Sequence, residues 1–133
     1  MDDIRLELTH DEYARVSSMS CERAAVEICR IHLTRCDPCV TFLAPMKGAD
    51  LRVRSGDGNE TDIEVKGTEA TDLAWPQLKV SSQHSHDRLR GGMLLYRVTG
   101  VRAQTVTIYV MRHGVDFDMV PEPRWSVRPS RVK

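Results

Sequence analysis

Three side chains of this sequence combine the types and spacing that metal-assisted hydrolysis needs. Asp50 opens one segment of alternating polar and apolar residues, and Glu64 and Lys66 lie in the next. Carboxylate oxygens, here joined by the carbonyl of Val65, suit a hard cation such as Mg²⁺, which takes one or two protein carboxylates and keeps several waters. A bound ion polarises a phosphoryl oxygen and activates water, while a nearby lysine orients that water or neutralises charge. These residues therefore favour phosphodiester hydrolysis with Mg²⁺ or Mn²⁺ as cofactor.

A β-hairpin is predicted to position these side chains. Segments 50–54 and 61–66 alternate in polarity and are separated by a glycine-rich turn. Because side chains alternate faces along a strand, Asp50 shares a face with the polar residues of the second segment if it pairs with Glu64 or with the lysine two residues later. A three-residue loop, Gly56-Asp57-Gly58, with a left-handed glycine would pair Asp50 with Glu64.

The same hairpin also fits a purely structural interpretation. Here Arg52, Asp62, Glu64 and Lys66 form ordinary cross-strand charge pairs on a solvent-facing sheet. Each such pair contributes roughly 0.2–1 kcal/mol to stability.

Helices and further strands are predicted around the hairpin. The clearest amphipathic helix is 18–35, which Ser18 or Ser20 can cap and Asp37-Pro38 ends. Residues 3–16 form a short element of uncertain type. The other predicted elements are a strand at 40–43, a helix at 80–90 and strands at 93–99 and 105–112. This order predicts an α/β or α+β fold with a mixed central sheet flanked by helices.

Length and composition indicate one domain over 1–133. The chain has 133 residues, 41% hydrophobic and 29% charged, enough for one core. A proline-rich tail at 115–133 is expected to be extended or partly disordered. No run of about 18 apolar residues is present, and the acidic start Met1-Asp2-Asp3 differs from the basic start of a signal peptide. We therefore expect a cytoplasmic protein without a membrane partner.

Charge is distributed unevenly although the formal net charge is +0. Residues 1–76 hold 9 Lys and Arg against 15 Asp and Glu, whereas residues 77–133 hold 10 against 4. A polyanion would meet the second half. Alternatively, the two halves neutralise each other in the fold.

All four cysteines, Cys21, Cys29, Cys36 and Cys39, lie in the first third of the chain. Cys36 and Cys39 have the CxxC spacing of metal and redox sites. Zinc would need two further ligands at matched spacing. Structural thiols are the favoured interpretation, with a disulfide or a metal clip as the alternatives.

The hairpin motif resembles the PD-(D/E)xK nuclease superfamily, which has the restriction-endonuclease-like fold. The resemblance rests on Gly48-Ala49-Asp50, followed by Ile63-Glu64-Val65-Lys66-Gly67-Thr68, and covers roughly residues 20–112. It implies that Asp50 and Glu64 are metal ligands and that Lys66 is the catalytic lysine. Ala49 stands where the family name expects proline.

The resemblance also implies an acidic residue on the first helix near the metal. Glu22 resembles the version in Holliday-junction resolvases and is assigned to the catalytic set, with Glu27 as the competing candidate.

Nucleic-acid contacts are expected around the second predicted helix. Lys79, Arg88 and Arg90 are candidates for phosphate contacts, and Gln83 lies in the same region. The alternative is a charged helix face in water.

The favoured function is a metal-dependent endonuclease that acts on DNA in defence, repair or recombination. A catalytically inactive nucleic-acid-binding or protein-interaction module on the same fold is the alternative. One site cuts one strand at a time, so paired cuts would need a homodimer.

Overall fold

The computed structural model describes residues 1–123, 125 and 127–130, and within them it forms six strands and three α-helices. The strands are β1 (Asp2–Glu7), β2 (Thr41–Leu43), β3 (Leu51–Arg54), β4 (Glu60–Gly67), β5 (Leu94–Thr99) and β6 (Thr105–Met111). The helices are α1 (His10–Ser17), α2 (Cys21–Cys36) and α3 (Gln83–Arg90), with a 3-10 turn at Trp75–Gln77. The predicted α+β class is confirmed.

The strands form one mixed sheet in the order β1-β6-β5-β4-β3-β2. Only β4 and β5 run parallel among the paired strands described, and α3 lies in the connection between them. Parallel neighbours need such a crossover because a tight turn can only reverse the chain. The connection therefore brings α3 onto the sheet beside the predicted hairpin.

The sheet is covered on both faces. The larger core lies under α1 and α2 and contains Ala25 and Ile28 of α2 with Leu51, Ile63 and Val65 of the hairpin. Apolar residues of the hairpin thus face α2, as their alternation predicted. The polar residues between them face the other side, where α3 packs.

A smaller core lies on the α3 side. Leu89 of α3, Leu95 and Met111 are its buried members, and Phe117 and Met119 pack against it. The first part of the predicted tail is therefore part of the packed structure, without a helix or strand in its described residues. The prediction of partial disorder also falls on residues 124, 126 and 131–133, which lie outside the described residues.

Helix α2 follows its local sequence signals. Ser20 caps its start by accepting a hydrogen bond from the amide of Arg23, at 3.3 Å. The helix ends at Cys36, and Asp37-Pro38 stops its continuation as predicted.

Upstream of α2, the single short element predicted at 3–16 is instead two elements. Strand β1 pairs with β6, and α1 begins with a reciprocal cap between Thr9 and Glu12. The second predicted helix also starts later than expected, at Gln83, because Ser82 caps it and the 3-10 turn precedes it.

None of the described helices is long and apolar enough to cross a membrane.

Candidate functional site

Asp50 immediately precedes the paired part of β3. Leu51 pairs with Ile63, and the amide of Asp50 also donates to the carbonyl of Ile63, so the regular ladder ends at Leu51. The turn between the strands is the predicted three-residue loop, in which Gly58 has a φ of 93°. That backbone conformation favours glycine, so the loop sequence sets the register of the site.

Asp50 lies immediately before β3 and forms hydrogen bonds with two backbone groups of β4. Its Oδ2 accepts a hydrogen bond from the amide of Val65 at 2.8 Å, and its own amide donates to the carbonyl of Ile63 at 2.9 Å. The N–H and C=O groups of one strand residue point to the same edge. The carbonyl of Val65 therefore points toward the Asp50 side of β4, as a ligand beside that carboxylate would.

Glu64 is 5% exposed and lies on the face of the sheet that α3 covers. Burial raises the pKa of its carboxyl to about 7, and a hydrogen bond with Asp50 and the charge of Asp50 add to this rise. The hydroxyl of Ser85 and the ammonium group of Lys66 act in the opposite direction, because both favour the ionised carboxylate. Two carboxyl groups and a lysine are thus close enough to influence one another.

Neighbouring acidic residues of the hairpin are already neutralised by arginines. Asp62 accepts from Arg52 at 3.2 Å and from Arg88 at 3.3 Å, and Glu60 accepts from Arg52 and Arg54 at 2.7 Å each. The cross-strand charge-pair interpretation is therefore correct for Arg52 and Asp62.

Glu64 and Lys66 do not form such a pair. Among the described residues, no salt bridge within 4.0 Å joins either of them to another charged group. The hairpin face thus divides into an arginine-paired half around Asp62 and an unpaired half around Glu64.

Glu22 and Glu27 both line a cleft of about 290 Å³ that also contains Asp50. Oε1 of Glu27 is held by Arg15 at 3.0 Å. Glu22 is exposed and has no such ion pair within the described part of the chain. The contacts therefore favour Glu22 over Glu27 as the additional acidic residue near the site.

The residues predicted to bind nucleic acid lie on or before α3 and make intramolecular contacts. The ammonium group of Lys79 pairs with Glu122, and Gln83 donates to Asp87 at 2.8 Å. Arg88 donates to the carbonyl of Lys47 at 2.8 Å and also pairs with Asp62, whereas Arg90 is exposed. None of the four lines the cleft that contains Asp50.

The sequence did not predict that α3 contributes to the site. Ser85 of α3 is only 6% exposed, and its hydroxyl lowers the pKa of Glu64. Gly48, with a φ of 91°, lies so close to α3 that a Cβ there would be 2.7 Å from the Cβ of His84. Helix α3 therefore touches both segments that carry the carboxylates. No sequence signal distinguishes Ser85 from the other polar residues around it.

All four cysteines are free thiols. Burial raises the pKa of Cys29, and the charge of Asp50 adds to this effect. Cys36 is exposed, with its Sγ 3.7 Å from Nε2 of His32, and Cys39 is exposed as well. Within the described residues no group of three or more His, Cys, Asp or Glu side chains is arranged to hold a metal ion, so the metal-clip alternative for the cysteines gains no support.

The donor set around Asp50 nevertheless fits Mg²⁺. This ion usually keeps several waters and needs only one or two protein carboxylates. Asp50 and Glu64 are two adjacent carboxyl groups, and the mutual repulsion of their ionised forms contributes to the raised pKa of Glu64. A divalent cation would relieve that repulsion.

Comparisons with protein-family models, with curated proteins and with solved structures find no match to this chain. The resemblance to PD-(D/E)xK nucleases therefore rests on the hairpin motif and the helix before it in the sequence.

Proposed function

We propose that this chain is a metal-dependent endonuclease with a restriction-endonuclease-like core, acting on the phosphodiester bonds of DNA. The observation that carries the proposal is the closeness of the Asp50 and Glu64 carboxyl groups. Burial raises the pKa of Glu64 and the neighbouring Asp50 carboxyl adds to this rise, whereas Asp62 on the same strand is neutralised by two arginines. Perturbed carboxyl groups beside a lysine are typical of functional sites.

Each residue has a distinct task in this proposal. Asp50, Glu64 and the carbonyl of Val65 would hold Mg²⁺ or Mn²⁺, and Glu22 would add a carboxylate from the cleft side. When bound, the ion polarises the phosphoryl oxygen and lowers the pKa of the attacking water. Lys66 orients that water or neutralises charge on the phosphate. The amide of Val65 fixes the orientation of the Asp50 carboxylate through its hydrogen bond.

Glu64 must lose a proton before it can act as a ligand. A carboxyl with a pKa of about 7 is partly protonated at neutral pH, so metal binding would release a proton. The hydroxyl of Ser85 and the charge of Lys66 favour the ionised form that the metal requires.

The second candidate function is a catalytically inactive nucleic-acid-binding or protein-interaction module on the same fold. The burial of Glu64 at 5% exposure favours it, because a carboxyl kept under α3 and left protonated would act only as a structural group. Metal binding distinguishes the two candidates directly.

Plasmid nicking in the presence of Mg²⁺ or Mn²⁺ tests the proposal. The parent protein should nick supercoiled plasmid, and Asp50→Asn and Glu64→Gln should abolish both nicking and Mn²⁺ binding measured by calorimetry. Lys66→Ala should slow nicking while sparing metal binding. Asp62→Asn removes the same charge as Asp50→Asn and is the matched control, expected to retain both activities.

An inactive parent protein that also fails to bind Mn²⁺ would contradict the nuclease proposal. Equal nicking by the parent and by the variants at Asp50, Glu64 and Lys66 would show that another site is responsible. The homodimer remains a prediction, tested by light scattering at micromolar concentration together with an assay for double-strand cuts.

A further inference from the structure

We propose that Arg23 and Arg30 of α2 bind a backbone phosphate of the nucleic acid beside Asp50, and that they do so only after a divalent ion is bound. This inference rests on the proposed function, since it names the surface by which the substrate reaches the same site. It also identifies a surface different from the one around α3 that the sequence suggested.

Both arginines lie on the wall of the cleft that contains Asp50. They are seven residues apart on α2, which places them on one side of the helix. Both side chains are exposed, and both line the cleft of about 290 Å³ together with the apolar side chains of Met19 and Val26. A guanidinium presents several N–H donors in a plane that matches two phosphate oxygens.

The two guanidinium groups are available for an external anion. Among the described residues, neither Arg23 nor Arg30 has a carboxylate within 4.0 Å, whereas Arg15 on the neighbouring helix is paired with Glu27. The Arg30 guanidinium carbon lies 5.3 Å from the centre of the Phe42 ring. This contact holds the side chain by a cation–π interaction and leaves its N–H groups uncommitted.

The charge of the cleft couples phosphate binding to metal binding. Its lining carries three carboxylates, on Glu22, Glu27 and Asp50, against two arginines, Arg23 and Arg30, while Arg15 outside the lining neutralises Glu27. A phosphate would therefore meet no net attraction in the metal-free protein. A divalent ion at Asp50 makes the cleft positive, so affinity for the phosphate should rise when the metal binds.

The exposure of the two carboxyl groups supports approach from the α2 side. Glu64 is buried under α3, whereas Asp50 is half-buried and opens into the cleft. A phosphate that enters along α2 would therefore approach the ion from the Asp50 side. Lys79 and Gln83 line a different groove, next to Phe117.

Fluorescence anisotropy with a labelled duplex oligonucleotide tests the inference, in Lys66→Ala protein so that cleavage is slow. Arg23→Ala and Arg30→Ala should each weaken binding about tenfold in the presence of Mg²⁺, as expected for the loss of a charge-assisted contact. The slope of log affinity against log salt concentration should fall by about one for each arginine removed. Without Mg²⁺ the arginine variants and the parent should bind equally weakly.

Arg5→Ala is the matched control. Arg5 is exposed on β1, which lies at the opposite edge of the sheet from β2. Its replacement by alanine therefore removes the same charge far from the cleft. This control should bind as the parent does. Circular dichroism of all variants verifies the fold.

Binding by Arg23→Ala and Arg30→Ala that equals the control would overturn the inference, and plasmid nicking by the parent protein would then leave the proposed function standing. Arginine effects that are the same with and without Mg²⁺ would overturn the coupling to metal. If the arginine variants lose oligonucleotide binding only in the presence of Mg²⁺ and the parent protein never nicks plasmid, the phosphate site is supported and the nuclease is rejected.

Discussion

The backbone amide of Val65 donates a 2.8 Å hydrogen bond to Oδ2 of Asp50. This contact orients the Asp50 carboxylate across the start of β3 and holds it beside Glu64. The same carboxylate raises the pKa of Glu64 and, more weakly than burial does, that of Cys29. Burial is the larger cause of both shifts, and Asp50 adds to each of them from its place beside β4.

Removing the charge of Asp50 should lower the pKa of Glu64. In Asp50→Asn the repulsion between two carboxylates disappears, and an amide replaces the carboxyl that shares a hydrogen bond with Glu64. Carbon-13 NMR titration of the glutamate carboxyl carbons should show this shift. Asp62→Asn, whose carboxylate is held by arginines, is the control and should leave the Glu64 titration unchanged. An unchanged titration in Asp50→Asn would contradict the interaction.

The stability of the metal-free protein should depend on the ionisation of Glu64. Its pKa is raised from 4.5 to about 7 by folding, so the folded chain binds the proton more tightly than the unfolded chain does. The resulting contribution to the free energy of unfolding is complete below pH 4.5 and is lost as pH rises to about 7. Denaturation by urea at several pH values measures it.

Glu64→Gln is the comparison for this pH dependence, because its amide does not ionise. Between pH 4.5 and about 7, the free energy of unfolding of the parent should fall relative to that of the variant. Saturating Mg²⁺ should reduce the shift in the parent, since the ion stabilises the charged form. Parallel curves for the two proteins would show that Glu64 titrates normally in the fold.

Gly67→Ala should destabilise the fold by roughly 1–3 kcal/mol through overpacking. A Cβ at residue 67 would lie 2.6 Å from the Cβ of Ala25 and 3.2 Å from the carbonyl oxygen of Cys21, so β4 and α2 would have to separate. Gly91→Ala is the matched control, because its Cβ would meet nothing closer than 3.4 Å. Urea denaturation compares the two, and equal stability would show that α2 moves aside at little cost.

The four thiols should react with Ellman's reagent in three classes. Cys36 and Cys39 are exposed and should react first. Cys21 is half-buried and its pKa is raised by burial, so it should react more slowly. Cys29 is buried in the core and should react only after unfolding in guanidinium. Alkylation followed by peptide mass spectrometry assigns each class, and four fast thiols in the folded protein would contradict the packing of α2.

Local patterns predicted much of the hairpin and its surroundings. The polarity of 50–54 and 61–66 predicted two strands, and the glycine loop predicted the register in which Leu51 pairs with Ile63. The sequence offered Ser18 or Ser20 as the cap of a helix over 18–35 ended by Asp37-Pro38, and the structure has α2 at Cys21–Cys36 capped by Ser20. These features depend on interactions among residues close in sequence, which are available to inspection of the chain alone.

Strand β1 and helix α1 were not separated by the sequence because β1 is stabilised by pairing with β6, about a hundred residues later. The same limitation applied to the acidic candidates on the first helix. The sequence favoured Glu22 only by resemblance, and the contact of Glu27 with Arg15 on another helix supplies a physical distinction between the two.

The sequence by itself determined which residue types carry the candidate chemistry, which strands hold them and the register between those strands. Only the tertiary structure decided that α3 buries Glu64 and brings Ser85 near it, that Arg88 adds a second partner to Asp62 and that Arg23 and Arg30 share a cleft with Asp50. Burial and charge pairing arise from groups far apart in the chain that meet when β4 and β5 align around the α3 crossover. That packing therefore sets the strength of each electrostatic interaction, which residue spacing in the sequence does not predict.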